Sequence, residues 1–184
     1  MAYNVPVYDT ARITFGPGRL YLGAVGVTPT IEIGAVKGDA TLSIKRKTLD
    51  VMQGSPQTII EQYVTQEEVS LKVTGIEWNT NGLQMVLGAG ITANSAGVET
   101  LEFGGDMKMS KQALLFRHIS ADGSTIDIEM YNVEGSGEIE VGIKETDVHE
   151  FPYEFVALEG TTNFAAAALA AKKKYFKIKR TVAA

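Results

Sequence analysis

At 184 residues, 45% of them hydrophobic and 21% charged, the chain has the balance of one soluble domain with a genuine core, not of a disordered or membrane-spanning chain. It contains no cysteine, which excludes disulfides and thiolate chemistry and fits synthesis in a reducing cytoplasm. The net charge of −5 is uneven: residues 172–184 hold Lys172, Lys173, Lys174, Lys177, Lys179 and Arg180 and no acid, leaving 11 basic and 22 acidic groups, a net −11, in residues 1–171.

An acidic body repels phosphate and argues against gripping nucleic acid along a broad basic face. The basic terminal segment reads either as a polyanion binder or as a strip that pairs with acidic surface on this chain or a neighbour. The second reading is favoured, because the run is short and interleaved with strand-like apolar residues.

In chain order, the N-terminal stretch MAYNVPVYDTARITFGPG lacks the basic and apolar regions of a signal peptide. No apolar run approaches the ~18 residues of a membrane span. The dominant period is two. RLYLGAV (19–25) is a strand candidate after the Gly-Pro-Gly turn at 16–18. ATLSIKRKT (40–48) sets Leu42 and Ile44 against Ser43, Lys45 and Lys47. VSLKVTG (69–75) sets Val69, Leu71 and Val73 against Ser70, Lys72 and Thr74.

Between these two strands, residues 50–66 are polar and turn-rich, yet they carry Val51, Met52, Ile59, Ile60, Tyr63 and Val64. We expect a long inter-strand loop there. Loops of that length inside a compact domain are uncommon and usually functional, and these side chains must be buried against the subunit's own core or another subunit.

NTNGLQMVLGAG (79–90) then predicts a short helix, with Asn79 or Asn81 as N-cap and Gly88 as stop. QALLFRHI (112–119) is another strand candidate, ending at the Ala-Asp-Gly turn of 121–123. STIDIEMYNV (124–133) alternates Ile126, Ile128 and Met130 with Asp127, Glu129 and Tyr131. EIEVGI (138–143) alternates Ile139, Val141 and Ile143 with Glu138 and Glu140, and Gly-Ser-Gly at 135–137 predicts a hairpin joining the two. EFPYEFVAL (150–158) and YFKIKR (175–180) close the series. The alanine-rich NFAAAALAAKKK (163–174) suits a helix slightly better than a small-residue loop. With no internal repeat and no Pro/Ser linker, residues 1–184 read as one mainly β domain of antiparallel type.

The chain offers little for catalysis. His118 and His149 have no partners at metal-ligand spacing and read as structural or surface residues. No G-x-S-x-G elbow occurs. GAGITA (88–93), with Asp106 downstream, matches the dinucleotide fingerprint in form only: a helix precedes it where a strand is required, so it reads as a helix cap and loop. The pairs Asp127/Glu129 and Glu138/Glu140 fall on the wet faces of two presumptive neighbouring strands, and read as one solvated acidic face rather than an acid–base site.

The order of segments resembles the major tail tube protein of long-tailed (siphovirus-type) bacteriophages. GPGRLYLGA (16–24), IEIGAVKGDATLSI (31–44), EEVSLKVTGIEWNTNGLQMVLGAG (67–90) with Glu77 near its strand end, EFPYEFVAL (150–158) and the late KYFKIKR carry the resemblance over most of the chain. It implies a β-sandwich or open-barrel fold with a short flanking α-helix and a long inter-strand loop, completing a multi-subunit β-barrel on assembly.

The implied role is that of a non-enzymatic virion protein of the tail, assembled in the bacterial cytoplasm and without cofactors. Its hexameric rings would stack around a tape-measure protein and meet tail-tip and terminator proteins. Double-stranded DNA would pass through without specific binding, on the way to host cell entry, and no membrane contact is implied. The loop reaching the next ring would fall on residues 47–66. The acidic balance suits a conduit that must not hold phosphate, and Asp127, Glu129, Glu138 and Glu140 are the expected lumen-facing residues. Lys172, Lys173, Lys174, Lys177, Lys179 and Arg180 are the expected basic C-terminal interface. The stretch 163–174 is longer than the family leads one to expect.

Three rival readings stand beside this one, the third being an enzyme of unrecognised type, which the empty search for a catalytic site disfavours. The first is a related ring component, such as a tail terminator or an injection-system ring protein. The second is a monomeric β-sandwich binding module for capsid decoration or carbohydrate, which an exposed aromatic platform would favour. Trp78, the only tryptophan, sits at a strand–helix junction and is expected in the core.

Overall fold

The computed structural model describes residues 18–37, 40–105, 108–143, 145–146, 148–169 and 175–183. It is mainly β, with one short helix. The elements run β1 (Gly18–Ala24), β2 (Ile31–Ala35), β3 (Thr41–Gln53), β4 (Thr58–Gly75), α1 (Thr80–Leu87), β5 (Ile91–Ser95), β6 (Val98–Glu102), β7 (Gln112–Ile119), β8 (Thr125–Gly135), β9 (Phe151–Ala157) and β10 (Phe176–Thr181). Every pairing is antiparallel. The main sheet has the order β2-β1-β7-β8-β9-β4-β3, with β10 also on β8; β5 and β6 form a separate hairpin.

β8 organises this sheet. One of its edges carries β7, and the other is shared: β10 pairs with Thr125–Met130 and β9 with Val133–Gly135. The changeover coincides with a bulge, where Gln112 and Leu114 of β7 face Val133 and Met130, so that β8 spends one extra residue there. Before the bulge Ile128 and Met130 point to the core and Glu129 and Tyr131 away from it; after it Val133 is back in the core. A strand that changes partner across a bulge splits a sheet into two limbs. Leu20, Leu114 and Met130 from one limb meet Leu71, Val73 and Phe155 from the other in a single core. A bridge from Val36 to Gly75, with the Lys37 N–H donating to the Thr74 carbonyl at 2.8 Å, brings the far end of the sheet back to β4.

The helix sits where the sequence places it. Asn79 is the N-cap, its side-chain oxygen accepting the Gly82 N–H at 3.0 Å, and Gly88 closes the helix in the left-handed region at φ 68°. GAGITA is thus a helix cap running into β5. Leu83 and Val86 reach the core, and Gly135 lets β8 approach so closely that any side chain there would collide with the Val86 carbonyl. The Ala-Asp-Gly turn joins β7 to β8: Asp122 accepts both the N–H and the hydroxyl of Ser124 at 2.9 Å, which holds its carboxyl below the usual range.

Four expectations need correction. Residues 138–143 are not a strand, and no hairpin forms at Gly-Ser-Gly, because the edges of β8 are already taken, one by β7 across the Ala-Asp-Gly turn and the other by β9 and β10 from later in the chain. Ile139 and Val141 still pack against the core, which explains their alternation.

Residues 50–66 are not a loop. β3 and β4 run through them as a ribbon that turns only at residues 54–57. The alternation was hidden because β4 spends an extra residue at two register shifts, opposite Lys47/Thr48 and Val51/Met52.

The described part of 163–174 is a turn, since Asn163 Oδ1 captures the N–H groups of Ala165 (2.9 Å) and Ala167 (3.0 Å) and Ala166 takes φ 55°; residues 170–174 lie outside the described residues. Trp78 is 56% exposed rather than in the core. The short strands β2, β5 and β6 were not among the strands expected from the sequence.

Tyr153 lies in the core with its hydroxyl buried and unpartnered, and burial pushes its phenol up to about 12. The folded value lies above the ordinary 10.0, so this group's stabilising effect is intact below that pH and is lost as pH climbs toward 12. We predict that Tyr153→Phe removes that alkaline sensitivity in thermal melts and changes stability at neutral pH by less than about 1 kcal/mol.

Candidate assembly interface

The β3–β4 ribbon leaves the body of the protein at the end of the β4–β9 ladder. That ladder covers only Ser70–Gly75, so outward from Val69 the ribbon has no third strand among the described residues. From Lys45 to Gln53 it projects roughly 25–30 Å at ~3.3 Å per residue. Its base is tied by ion pairs, Arg46 to Glu67 at 2.9 Å and Lys45 to Glu68 at 3.7 Å. Beyond the base the register sets Thr48 opposite Val64 and Met52 opposite Ile59 on one face, and Leu49 opposite Tyr63 and Val51 opposite Glu61 on the other.

Of these apolar residues, Leu49, Met52, Ile59, Ile60, Tyr63 and Val64 are each 51–59% exposed, and Val51 is half-buried. The polar groups between them are paired within the ribbon. Gln62 donates to Asp50 at 2.8 Å, and the Tyr63 hydroxyl donates to Glu61 at 2.6 Å, which raises the pKa of the phenol. Completing the burial of such a side chain is worth on the order of 1 kcal/mol. An isolated two-stranded ribbon is marginal in water. Apolar groups on both faces therefore mark a surface that gains by being covered. Leu49 belongs to this set but escaped the sequence reading, which began the segment one residue later.

The four carboxylates of the expected acidic face do not come together. Asp127 is buried and holds Arg117 through two hydrogen bonds, at 2.7 and 2.9 Å. Glu129 is half-buried, 3.8 Å from Lys177 and 3.5 Å from the Tyr131 hydroxyl. The cause is register: Arg117, Asp127 and Lys179 are aligned across β7, β8 and β10, so cations from both neighbours neutralise the acids of β8. Glu138 and Glu140 are exposed, and line a different cleft beside Lys72 and Glu154, which are themselves paired at 3.0 Å.

Lys177, Lys179 and Arg180 lie on β10; Lys172, Lys173 and Lys174 lie outside the described residues. His118 sits in β7, and His149 accepts the Trp78 indole N–H at Nδ1 (3.1 Å). Among the described residues no three His, Asp or Glu side chains gather as a metal site. No family model matches the chain, and no curated protein matches it in sequence.

The Arg117–Asp127 pair is asymmetric, the carboxylate 8% exposed and the guanidinium 40%. Removing the cation strands a buried charge, whereas removing the anion strands one that can reach water. Arg117→Leu should cost about 3 kcal/mol in denaturant unfolding, offset in part by Lys179, and Asp127→Asn about 1 kcal/mol. Equal costs would mean that the pair is solvated alike at both ends.

Proposed function

We propose that this chain is a structural subunit that polymerises with copies of itself, and specifically a tail tube protein of siphovirus type. In this reading its hexameric rings stack into a conduit around a tape-measure protein, and the β-sandwich or open barrel of each subunit contributes to a shared barrel. The role is structural rather than catalytic, and its site of action is the virion tail. The observation that carries the reading is the protruding β3–β4 ribbon. It is rigidly laddered at its base, apolar on both faces beyond it, and located where the family has an arm to the neighbouring ring. The antiparallel β body with one short flanking helix and the order of the sequence segments support it as well.

A terminator or injection-system ring protein would share these features and differ in stopping after one ring. The exposed Trp78 favours the monomeric binding module. Against that, its ring neighbours His149 and Phe151 meet it at 85° and 78°, so the three do not make the flat platform on which a sugar stacks.

The test is to shorten the ribbon without disturbing the body. Lys47 and Gln66 are cross-strand partners, so residues 48–65 can be replaced by Asn-Gly, a two-residue hairpin closure. Wild-type protein, concentrated and viewed by negative-stain electron microscopy, should form rings or hollow tubes. The shortened protein should keep its circular dichroism and stay monomeric. Assembly by the shortened chain, or a wild-type monomer at every concentration, would overturn the reading.

A further inference from the structure

We infer that the β3–β4 ribbon is buried on both faces in the assembly, held in a slot between two neighbouring copies of the chain; this rests on the assembly reading above and says what receives the ribbon. The two faces are built alike. One carries Met52, Ile59 and Val64, and the other carries Leu49 and Tyr63, all 51–59% exposed, with Val51 half-buried beside the second pair. Each face also holds one carboxylate that the ribbon itself hydrogen-bonds: Gln62 donates to Asp50 on the first, and Tyr63 to Glu61 on the second. Neither face is the wet side of an ordinary half-buried ribbon, which would be polar throughout.

Area decides how many neighbours are needed. A half-exposed side chain of this size offers on the order of 100 Å² of apolar surface. One face therefore offers roughly 300 Å², against the ~800 Å² that each side of a stable interface buries. Docking by one face, onto a flat surface or against a second ribbon, is too small to hold and leaves the other face wet. Both faces together, with Ile60 at the bulge and the backbone along the two edges, approach the required area.

Size decides where the slot lies. A two-stranded ribbon roughly 25–30 Å long, 10 Å wide and 10 Å thick displaces on the order of 2,500 Å³. The clefts among the described residues are several times smaller, about 530 Å³ beside Arg19 and Glu32 and about 400 Å³ beside Lys72 and Glu154. A space that admits the ribbon is therefore one that two copies form between them. A lipid phase would also surround both faces, but it would leave the backbone groups along the ribbon's edges without partners. A ribbon that needs two receiving copies makes a head-to-tail contact of three bodies, so a pair of copies is not stable by itself and assembly sets in at a threshold concentration.

Substitution of one face at a time tests this. M52T/I59T/V64T and L49T/Y63T keep strand-forming residues and touch none of the core. Each should raise the concentration needed for assembly, read by sedimentation, at least about tenfold, with thermal melts confirming the fold. Wild type should sediment as monomer and large assemblies without dimer. One variant assembling within about twofold of wild type, or a stable wild-type dimer, would mean that a single face docks on a flat surface.

A second measurement leaves the ribbon intact in nearly every copy. The chain has no cysteine, so Met52→Cys and Tyr63→Cys proteins can each carry a polarity-sensitive dye and be mixed as a trace into wild type. Emission should shift to shorter wavelength at both positions on assembly. A shift at one position only, with wild type assembled and the ribbon-shortened chain monomeric, overturns the slot while the assembly reading stands. A wild type that never assembles overturns both.

Discussion

β8 has two edges and three strands laid on them, and most of the fold follows from that crowding. β7 takes one edge; β10 and β9 divide the other at the bulge between Met130 and Val133. The division splits the sheet, lets its two limbs share a core through Leu114, Met130 and Phe155, and leaves no edge for residues 138–143. Among the described residues it also leaves β3 and β10 with one neighbour each, on different limbs. A sheet whose centre is saturated and whose margins are open is stable as a body and unfinished as a surface.

The ribbon is the most unfinished part of that surface. The same two-residue periodicity that buries Leu71 and Val73 in the body continues past the last β9 contact, where among the described residues no further strand lies alongside and the side chains stay half-exposed. Two cross-strand ion pairs at the base, Arg46–Glu67 and Lys45–Glu68, hold its strands in register, while the apolar groups beyond offer area to a partner. Surface ion pairs of this kind contribute little energy but favour one geometry. The outer face of β7, β8 and β10 shows the opposite condition. There Asp127 and Glu129 are matched by cations across the ladder, so any acidic character of a conduit would rest on Glu138, Glu140 and the overall charge rather than on β8.

The apolar runs bounded by turn signals were legible as strands in sequence: β7 carries the predicted bounds, and β1, β8, β9 and β10 lie within two residues of theirs. The helix was equally clear, because Asn79 and Gly88 are local signals that act within one turn. What failed depends on distant parts of the chain. The alternation of Ile139 and Val141 is real, but a strand also needs a free edge, and β7 takes one edge of β8 while β9 and β10, from later in the chain, take the other. Bulges at two points in β4 shifted the phase of 50–66 and made strand look like loop. The alanine run has high helix propensity, yet Asn163 captures the backbone first. For the candidate interface, the residue set from Val51 to Val64 was legible as unsatisfied apolar surface. That the acids of β8 are neutralised could not be seen without knowing that β10 lies beside it.

Assembly through the ribbon requires that it pass from water to interface when copies associate. Amide hydrogen exchange read by mass spectrometry on the free and the assembled protein measures this directly. Amides of residues 48–64 should exchange quickly in the free subunit and slow by on the order of a hundredfold in the assembly. Exchange in the ribbon that is equally fast in both states, with protection confined to other surfaces, would contradict it.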